Sequence, residues 1–86
     1  MPVIVNEVQN ESLRIYPNPA SDYLILDSDE MIIKIELRDM LGRLIHEEKA
    51  NNNFFNLDLS GLNSGIYVLT TTLNSVKQMV NIVVKN

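Results

Sequence analysis

Three clusters of turn-forming residues divide the chain, and only short apolar or alternating segments lie between them. The clusters are Tyr16–Asp22, which contains Pro17 and Pro19, then Asp39–Arg43, and then Leu59–Tyr67. Turn signals spaced about every 8 to 12 residues are typical of small all-β domains. The intervals leave no room for βαβ crossovers. The pattern predicts an all-β, immunoglobulin-like antiparallel β-sandwich of about six or seven short strands.

The clearest strand signal lies just before the second cluster, where Ile33, Ile35 and Leu37 alternate with Lys34, Glu36 and Arg38. This is the period of a strand with one buried and one solvated face. Asp39 and Gly42 suit the first and last positions of a tight turn, which predicts a hairpin with residues 44–49 as the second strand. A helix over 31–49 is the alternative, but Gly42 in its interior would cost about 1 kcal/mol.

The remaining segments complete the predicted domain. Further strands are expected at 13–16, 23–26, 55–59, 66–73 and 76–84, with loops at 27–30 and 51–53 and a two-residue hairpin loop at Asn74-Ser75. We expect residues 1–12 to be a linker and residues 13–86 to be the sandwich. Residues 1–5 lack a basic segment followed by a long apolar one, so no signal peptide is predicted. If the natural protein is exported, we expect this chain to be a fragment of it, with Met1 added for expression.

Composition excludes several classes of function. Eighty-six residues suffice for one domain. The chain has no cysteine, so disulfides, thiolate metal sites and cysteine nucleophiles are ruled out. The net charge is −4 and there is no basic run, which disfavours nucleic-acid binding. No apolar stretch approaches the roughly 20 residues that a membrane-spanning helix requires, so the chain is not expected to be transmembrane.

The residues provide little chemistry for catalysis. His46 is the single histidine and is expected on the surface beside Glu47 and Glu48. Nothing resembles a nucleophile elbow, so we predict no enzyme activity and no cofactor. Three acidic residues close together in the predicted 27–30 loop offer oxygens to Ca²⁺, but their spacing does not match an EF-hand and favours a solvated turn. These residues are Asp27, Asp29 and Glu30.

The aromatic residues leave an alternative open. Five of them could form a platform on which sugar rings stack, although aromatic residues in strands more often belong to the core or to cross-strand pairs. They are Tyr16, Tyr23, Tyr67, Phe54 and Phe55. The alternative function is therefore an immunoglobulin-like accessory module that binds carbohydrate or a protein partner.

The three clusters together resemble the C-terminal sorting domain that Bacteroidetes-type bacteria attach to proteins exported by the type IX secretion system. Members typically carry tyrosine-proline-asparagine-proline, an aspartate-x-x-glycine-arginine turn, leucine-x-x-glycine-x-tyrosine, and a last strand bearing lysine. The corresponding positions here are Tyr16–Pro19, Asp39–Arg43, Leu62–Tyr67 and Lys77. The likeness covers about residues 13–86.

This resemblance implies a translocation address. In this family the domain follows an N-terminal cargo, is recognised by the type IX machinery at the outer membrane after passage through the periplasm, and is often removed by a sortase-like peptidase. The cargo is then attached to the cell surface or released. The residues that the resemblance assigns to recognition or to the fold are Pro17, Asn18, Pro19, Gly42, Arg43, Gly65, Tyr67 and Lys77. Of these, Arg43, Tyr67 and Lys77 are the candidates for receptor contact, whereas turn geometry best explains the two glycines.

Two departures from the family pattern bear on the contact residues. The last hairpin carries Asn74-Ser75 where a glycine is frequent, and the basic residues near the end are only Lys77 and Lys85. Cleavage is expected in the polar stretch between Val5 and Ser12, because peptidases need an exposed, extended backbone. The last strand is apolar on both faces, which predicts that the chain dimerises through it or exchanges it between copies.

Overall fold

A computed structural model describes residues 12–74 and 77–86 of the chain. Five antiparallel strands account for most of these residues. They are β1 (Leu13–Tyr16), β2 (Tyr23–Asp39), β3 (Leu44–Asp58), β4 (Gly65–Leu73) and β5 (Gln78–Lys85). The all-β prediction is confirmed, and the described part of the chain has five strands, two of them long, where six or seven short ones were expected.

The difference in strand count arises in β2 and β3. Each contains two of the predicted strands, joined where loops at 27–30 and 51–53 were expected. The register between them shifts between Asp27 and Ile32 and again between Ile32 and Lys34, as happens at β-bulges that bend a strand. Asn53 Nδ2 donates hydrogen bonds to the carbonyl oxygens of Ser28 and Asp29 at this bend. The polar residues therefore mark a bend in a paired ribbon.

The bend produces two layers. In the first layer, β1 and the end of β3 pair with the beginning of β2. In the second layer, the order is the beginning of β3, the end of β2, β4 and β5. Apolar side chains from both layers form one core cluster, which includes Leu24, Leu57, Ile35, Leu69 and Val83. The molecule is therefore a β-sandwich in which two long strands cross between the layers.

The β2–β3 hairpin forms as the sequence predicts. Gly42 N–H donates to the Asp39 carbonyl oxygen at 3.0 Å, and Gly42 has φ +88°. A residue with a Cβ is strained at this φ, which explains the glycine. The helical alternative for 31–49 is wrong, because this segment lies in β2, the turn and β3.

The connection between β1 and β2 closes one side of the sandwich. The peptide bonds before Pro17 and Pro19 are both cis. Ala20, which is fully buried, donates its N–H to the Val84 carbonyl oxygen and accepts from Asn86 N–H, both at 2.8 Å. Residues 17–20 thus leave the first layer and lie along the outer edge of β5 in the second. The predicted loop at Asn74-Ser75 lies partly outside the described residues.

Candidate functional site

The three turn clusters of the sequence, which carry the first, second and third motifs, come together at one end of the sandwich. This end, which we call the motif end, consists of residues 17–20, 39–43 and 60–67. Gly65 pairs with Lys85 there, and Asp39 pairs with Tyr67. Lys77 lies at the other end of the β4–β5 hairpin, where its carbonyl oxygen accepts from Leu73 N–H. Along β4, Gly65 and Leu73 are eight residue steps apart, or roughly 27 Å at about 3.4 Å per residue.

Asn18 connects the first motif to the last strand. Its Nδ2 donates to the Ile82 carbonyl oxygen at 2.9 Å, and its Oδ1 accepts from Val84 N–H at 3.0 Å. A side-chain amide can form this pair because it presents a donor and an acceptor, as a peptide group does. Asn18 therefore pairs with the edge of β5 as a neighbouring strand would, and Pro17 and Pro19 flank it on the surface.

Asp39 organises the second motif. Its Oδ1 accepts from the N–H groups of Leu41 at 2.9 Å and Arg43 at 3.0 Å, and its Oδ2 accepts from Arg43 Nε at 2.7 Å. Desolvation acts to raise the pKa of Asp39, but the hydrogen bonds from Arg43 and Leu41 outweigh it and lower that pKa. The carboxylate thereby holds both the turn backbone and the guanidinium of Arg43 in place.

Tyr67 anchors the third motif from within the fold. Its ring is only 8% exposed, and its hydroxyl donates to the Asn63 carbonyl oxygen at 2.6 Å. A tyrosine whose hydroxyl hydrogen-bonds to the backbone a few residues upstream is known as a tyrosine corner, and it is typical of immunoglobulin-like sandwiches. The burial of Tyr67 favours a structural role over the receptor contact that the sequence suggested. Gly65 opens β4 with φ +157°.

Ser60 and Asp58 shape the start of the same segment. Ser60 N–H donates to Asp58 Oδ1 at 2.9 Å, and hydrogen bonds from Ser60 lower the pKa of Asp58. Leu62 N–H donates to the Leu59 carbonyl oxygen at 3.0 Å, which completes a tight turn. This turn brings Asn63 within reach of Tyr67.

The second and third motifs enclose a shallow cleft. Its volume is about 320 Å³. Arg43 and Asp39 form one wall, Ile45 and Ile66 add apolar surface, and the remaining lining comes from residues 61–65 and Tyr67. Arg43 is 72% exposed, so its side chain is available at this cleft. Two motifs that are distant in sequence thus contribute to one surface.

Sequence analysis missed three positions that build this end. Asp39 was assigned only to the turn, although its spacing from Arg43 suits a carboxylate that binds both the backbone and the side chain. Asn63 and Ala20 act through backbone groups, and such roles leave no signal in side-chain chemistry.

The other sequence-based candidates lie away from the motif end. Arg14 forms ion pairs with Asp27 at 3.5 Å and Asp29 at 3.1 Å, so two of the suggested calcium ligands already face a cation. The hydrogen bonds that Arg14 donates to Asp29 and Asp27 in turn raise the pKa of Arg14. His46 is on the surface, with Nε2 2.9 Å from Glu48 Oε1.

The five aromatic residues do not form one platform. Tyr67 is buried and Phe55 packs against the core. Tyr16, Tyr23 and Phe54 are about half exposed, and the register of β1, β2 and β3 puts them on the outer face of the first layer. Within residues 12–74 and 77–86, the structure has no helix of the length and hydrophobicity that a membrane crossing requires.

The fold is similar to two solved structures. A DUF3244 family protein from Bacteroides vulgatus, which has an immunoglobulin-like β-sandwich fold, superimposes with a TM-score of 0.75 at 14% identity, over 91% of this chain and 88% of that one. PorZ, an essential surface component of the type IX secretion system of Porphyromonas gingivalis, gives a TM-score of 0.72 at 16% identity, over 93% of this chain and 12% of that one. The class is therefore an immunoglobulin-like β-sandwich.

Residues 14–85 match the family described as the secretion system C-terminal sorting domain, and the chain belongs to that family. It is 31% identical over 75 residues to an ulvan lyase of Nonlabens ulvanivorans, a match that covers 85% of this chain and 14% of that protein. The chain thus spans about a seventh of that relative. A type IX sorting domain is not catalytic, and it implies delivery to the cell surface or the extracellular space.

Proposed function

We propose that this chain is the sorting signal of a larger protein and directs an N-terminal cargo across the outer membrane through the type IX secretion machinery. The family match over residues 14–85 carries this proposal. The ulvan lyase relative supports it, because the matched segment is 14% of that protein and leaves most of its length to other domains. The cargo passes through the periplasm and ends on the cell surface or in the medium.

Within this proposal, the motif residues divide into two groups. Arg43 and Lys77 contact the machinery, because both side chains are exposed. Asn18, Gly42 and Tyr67 maintain the surface that carries Arg43, through the hydrogen bonds and the turn geometry at the motif end. Pro17, Pro19 and Gly65 belong to the same structural group. Lys77 and Arg43 lie at opposite ends of the sandwich. A single receptor that contacts both must therefore extend along most of the length of the sandwich.

The proposal includes removal of the domain by a sortase-like peptidase, followed by surface attachment of the cargo. Leu13 is only 2% exposed and belongs to the core cluster, so a cut that leaves the sandwich folded must precede it. We place the cut between Val5 and Ser12. Mass spectrometry of the mature cargo identifies its C-terminus. Retention of the intact sorting domain on the mature surface protein would contradict removal.

Self-association through β5 is a further part of the proposal. Val80, Ile82 and Val84 are exposed on the outer face of this edge strand. The backbone groups of Val80 face the same edge that Asn18 occupies at Ile82 and Val84, and no described residue pairs with them. An open, apolar strand edge favours pairing with another strand. We expect a concentration-dependent dimer in sedimentation or light scattering, and a strictly monomeric chain at high concentration would contradict it.

A transplant tests the sorting function. Residues 3–86 are fused behind a fluorescent protein with a Sec signal and expressed in a type IX-competent bacterium. We expect fluorescence on the surface or in the medium. The signal should stay in the periplasm in a strain that lacks the type IX machinery, and also when residues 77–86, which contain β5, are deleted. Periplasmic retention of the complete fusion in the competent strain would contradict the proposal.

One observation favours a second candidate function. Tyr16, Tyr23 and Phe54 expose aromatic rings on one face of the first layer, and such rings can stack on sugars. An accessory module that binds carbohydrate would use this face. Saturable binding in a glycan pull-down, lost on Tyr23→Ala, would support it, whereas the sorting function requires no glycan binding.

A further inference from the structure

The guanidinium of Arg43 is oriented by the fold and retains unused hydrogen-bonding capacity. Its Nε donates to Asp39 Oδ2 at 2.7 Å. Its two Nη groups donate to no residue in the described part of the chain. A guanidinium has five N–H donors in a planar fork, so four remain available. Because Asp39 holds the side chain in place, little conformational freedom remains to be lost when a ligand binds.

Arg43 keeps Asp39 as a partner when a ligand binds, because Asp39 also holds the backbone of the turn. Its Oδ1 accepts from two backbone N–H groups while its Oδ2 accepts from Arg43 Nε. By contrast, two other cations of the same layer, Lys34 and Arg38, form longer ion pairs. They lie 3.9 Å and 3.7 Å from the carboxylate of Glu36. Arg43 thus combines a rigid partner on one nitrogen with open donors on the other two.

Apolar side chains line the same cleft as this open fork. Ile45 and Ile66 line the cleft and are both partly solvent-exposed. Met40, Leu41 and Leu44 flank Arg43 along the chain, and Leu41 is 81% exposed. Exposed apolar residues in and beside the cleft, next to one cation, form the type of surface that proteins use for interactions.

We propose that this cleft binds a carboxylate, specifically the Asp or Glu side chain of an apolar-flanked peptide segment of a partner protein. The Nη groups of Arg43 donate two parallel hydrogen bonds to the carboxylate oxygens. Ile45 and Ile66 pack against the apolar neighbours of the acidic residue. The cleft volume of about 320 Å³ suits one such side chain. The inference rests on the proposed sorting function, in which the partner is a component of the secretion machinery.

The binding test uses a defined probe. The ¹⁵N-labelled chain is titrated with the peptide acetyl-Leu-Glu-Leu-amide, and acetyl-Leu-Gln-Leu-amide is the uncharged control. We expect saturable NMR shifts at the Nε–H of Arg43 and at the amides of Ser64, Gly65 and Ile66. The glutamine peptide should bind at least about tenfold more weakly, because it lacks the charge that strengthens the paired hydrogen bonds. Equal binding of both peptides, or no binding of the first, would overturn the proposal.

Three variants assign the effect to Arg43. Arg43→Gln should abolish the preference for the glutamate peptide, and Arg43→Lys should weaken binding because it keeps the charge without the planar fork. Arg38→Gln is the matched control, since Arg38 lies on the same layer outside the cleft, and it should leave binding unchanged. The spectrum of each variant reports whether it is folded. Full binding by a folded Arg43→Gln variant would contradict the proposal.

The fluorescent fusion separates this proposal from the sorting function itself. Loss of export with Arg43→Gln, but not with Arg38→Gln, supports carboxylate recognition at the cleft. Export of both variants at the level of the unmodified fusion overturns it and leaves the sorting function standing. Retention of the unmodified fusion overturns the sorting function, and the peptide titration then decides on the carboxylate site alone.

Discussion

The two edge strands of the second layer, β3 and β5, are protected from unwanted pairing in different ways. From Leu44 to Lys49 every residue of β3 is exposed, and this segment carries His46, Glu47, Glu48 and Lys49. Charged side chains on an edge strand discourage pairing with another sheet. β5 instead presents valine and isoleucine and, among residues 12–74 and 77–86, is covered between Ile82 and Asn86 by residues 18 and 20. One edge is therefore shielded by charge, whereas the other is covered by a dedicated segment of the chain over part of its length and stays open at Val80.

The largest effect should come from the inner face of β5. Val83 is fully buried and Val80, on the same strand, is 63% exposed. Val83→Ala should lower the free energy of unfolding by about 1–3 kcal/mol, through lost burial and the cavity it leaves. Chemical denaturation measures this change. Val80→Ala is the control and should leave the free energy of unfolding almost unchanged. Equal losses in the two variants would show that Val83 does not contribute more to the core than Val80.

Removing the segment that covers β5 should have a smaller effect. Asn18→Ala deletes two hydrogen bonds to the strand edge, and should destabilise the domain by about 1–2 kcal/mol, at about 0.5–1 kcal/mol for each bond because both are exposed. Hydrogen exchange should also speed up at Val84, whose N–H donates to Asn18. Asn51→Ala on the exposed part of β3 is the matched control. If the Val84 amide exchanged as slowly in Asn18→Ala as in the unmodified chain, the pairing role of Asn18 would be contradicted.

Making the edge of β5 resemble that of β3 should reduce self-association. Val80→Lys combined with Ile82→Lys adds two cations to the open edge and should weaken the expected dimer by at least about tenfold, or about 1.4 kcal/mol. Sedimentation equilibrium measures the dissociation constant. His46→Lys combined with Glu48→Lys is the control on β3 and should leave it unchanged. If the β3 pair weakened the dimer instead, the interface would lie on the other edge.

The smallest effect concerns the hairpin that begins β3, and it depends on pH. The pKa of Asp39 is lowered in the folded state, so in acid the unfolded chain binds more protons. The stabilisation from this carboxylate is complete above its ordinary pKa of 3.8 and is lost as the pH falls through the lowered value. Asp39→Asn should therefore make thermal stability less dependent on pH below about 4.

Asp22→Asn is the control for this pH dependence. Asp22 has no side-chain hydrogen bond with a described residue, so this variant controls for the loss of one surface carboxylate. An Asp39→Asn variant that loses stability in acid as steeply as the unmodified chain would show that Asp58, whose pKa is also lowered, dominates instead.

Most strands could be predicted because their signals are local. The alternation through Ile35 and Leu37 and the Asp39–Gly42 turn each depend on neighbouring residues, and both appear in the structure. The loops predicted at 27–30 and 51–53 were wrong because polar residues occur both in loops and at bends of paired strands. Only the pairing of β2 with β3 across Asp27 and Ile32 distinguishes the two.

The sequence predicted individual residues of the candidate site, but not that they lie together. The sequence indicated Gly42 and Arg43, and separately Gly65 and Tyr67, but no pattern along the chain brings them to one cleft. Lys77 was grouped with them and lies at the opposite end of the sandwich. The sequence predicts receptor contact for Tyr67, whereas its burial, which the sequence does not reveal, favours a structural role.

Local patterns along the sequence were enough to predict the all-β class and the hairpin turn at Asp39–Gly42, and they carry the family resemblance that the match over residues 14–85 confirms. These properties follow from side-chain periodicity and backbone preference, which act over a few residues. Only the tertiary structure decided that Asn18 covers the edge of β5, that two motifs share a cleft and that Arg43 keeps open donors there. Such contacts join residues up to 66 positions apart, and their formation depends on how the whole sandwich closes.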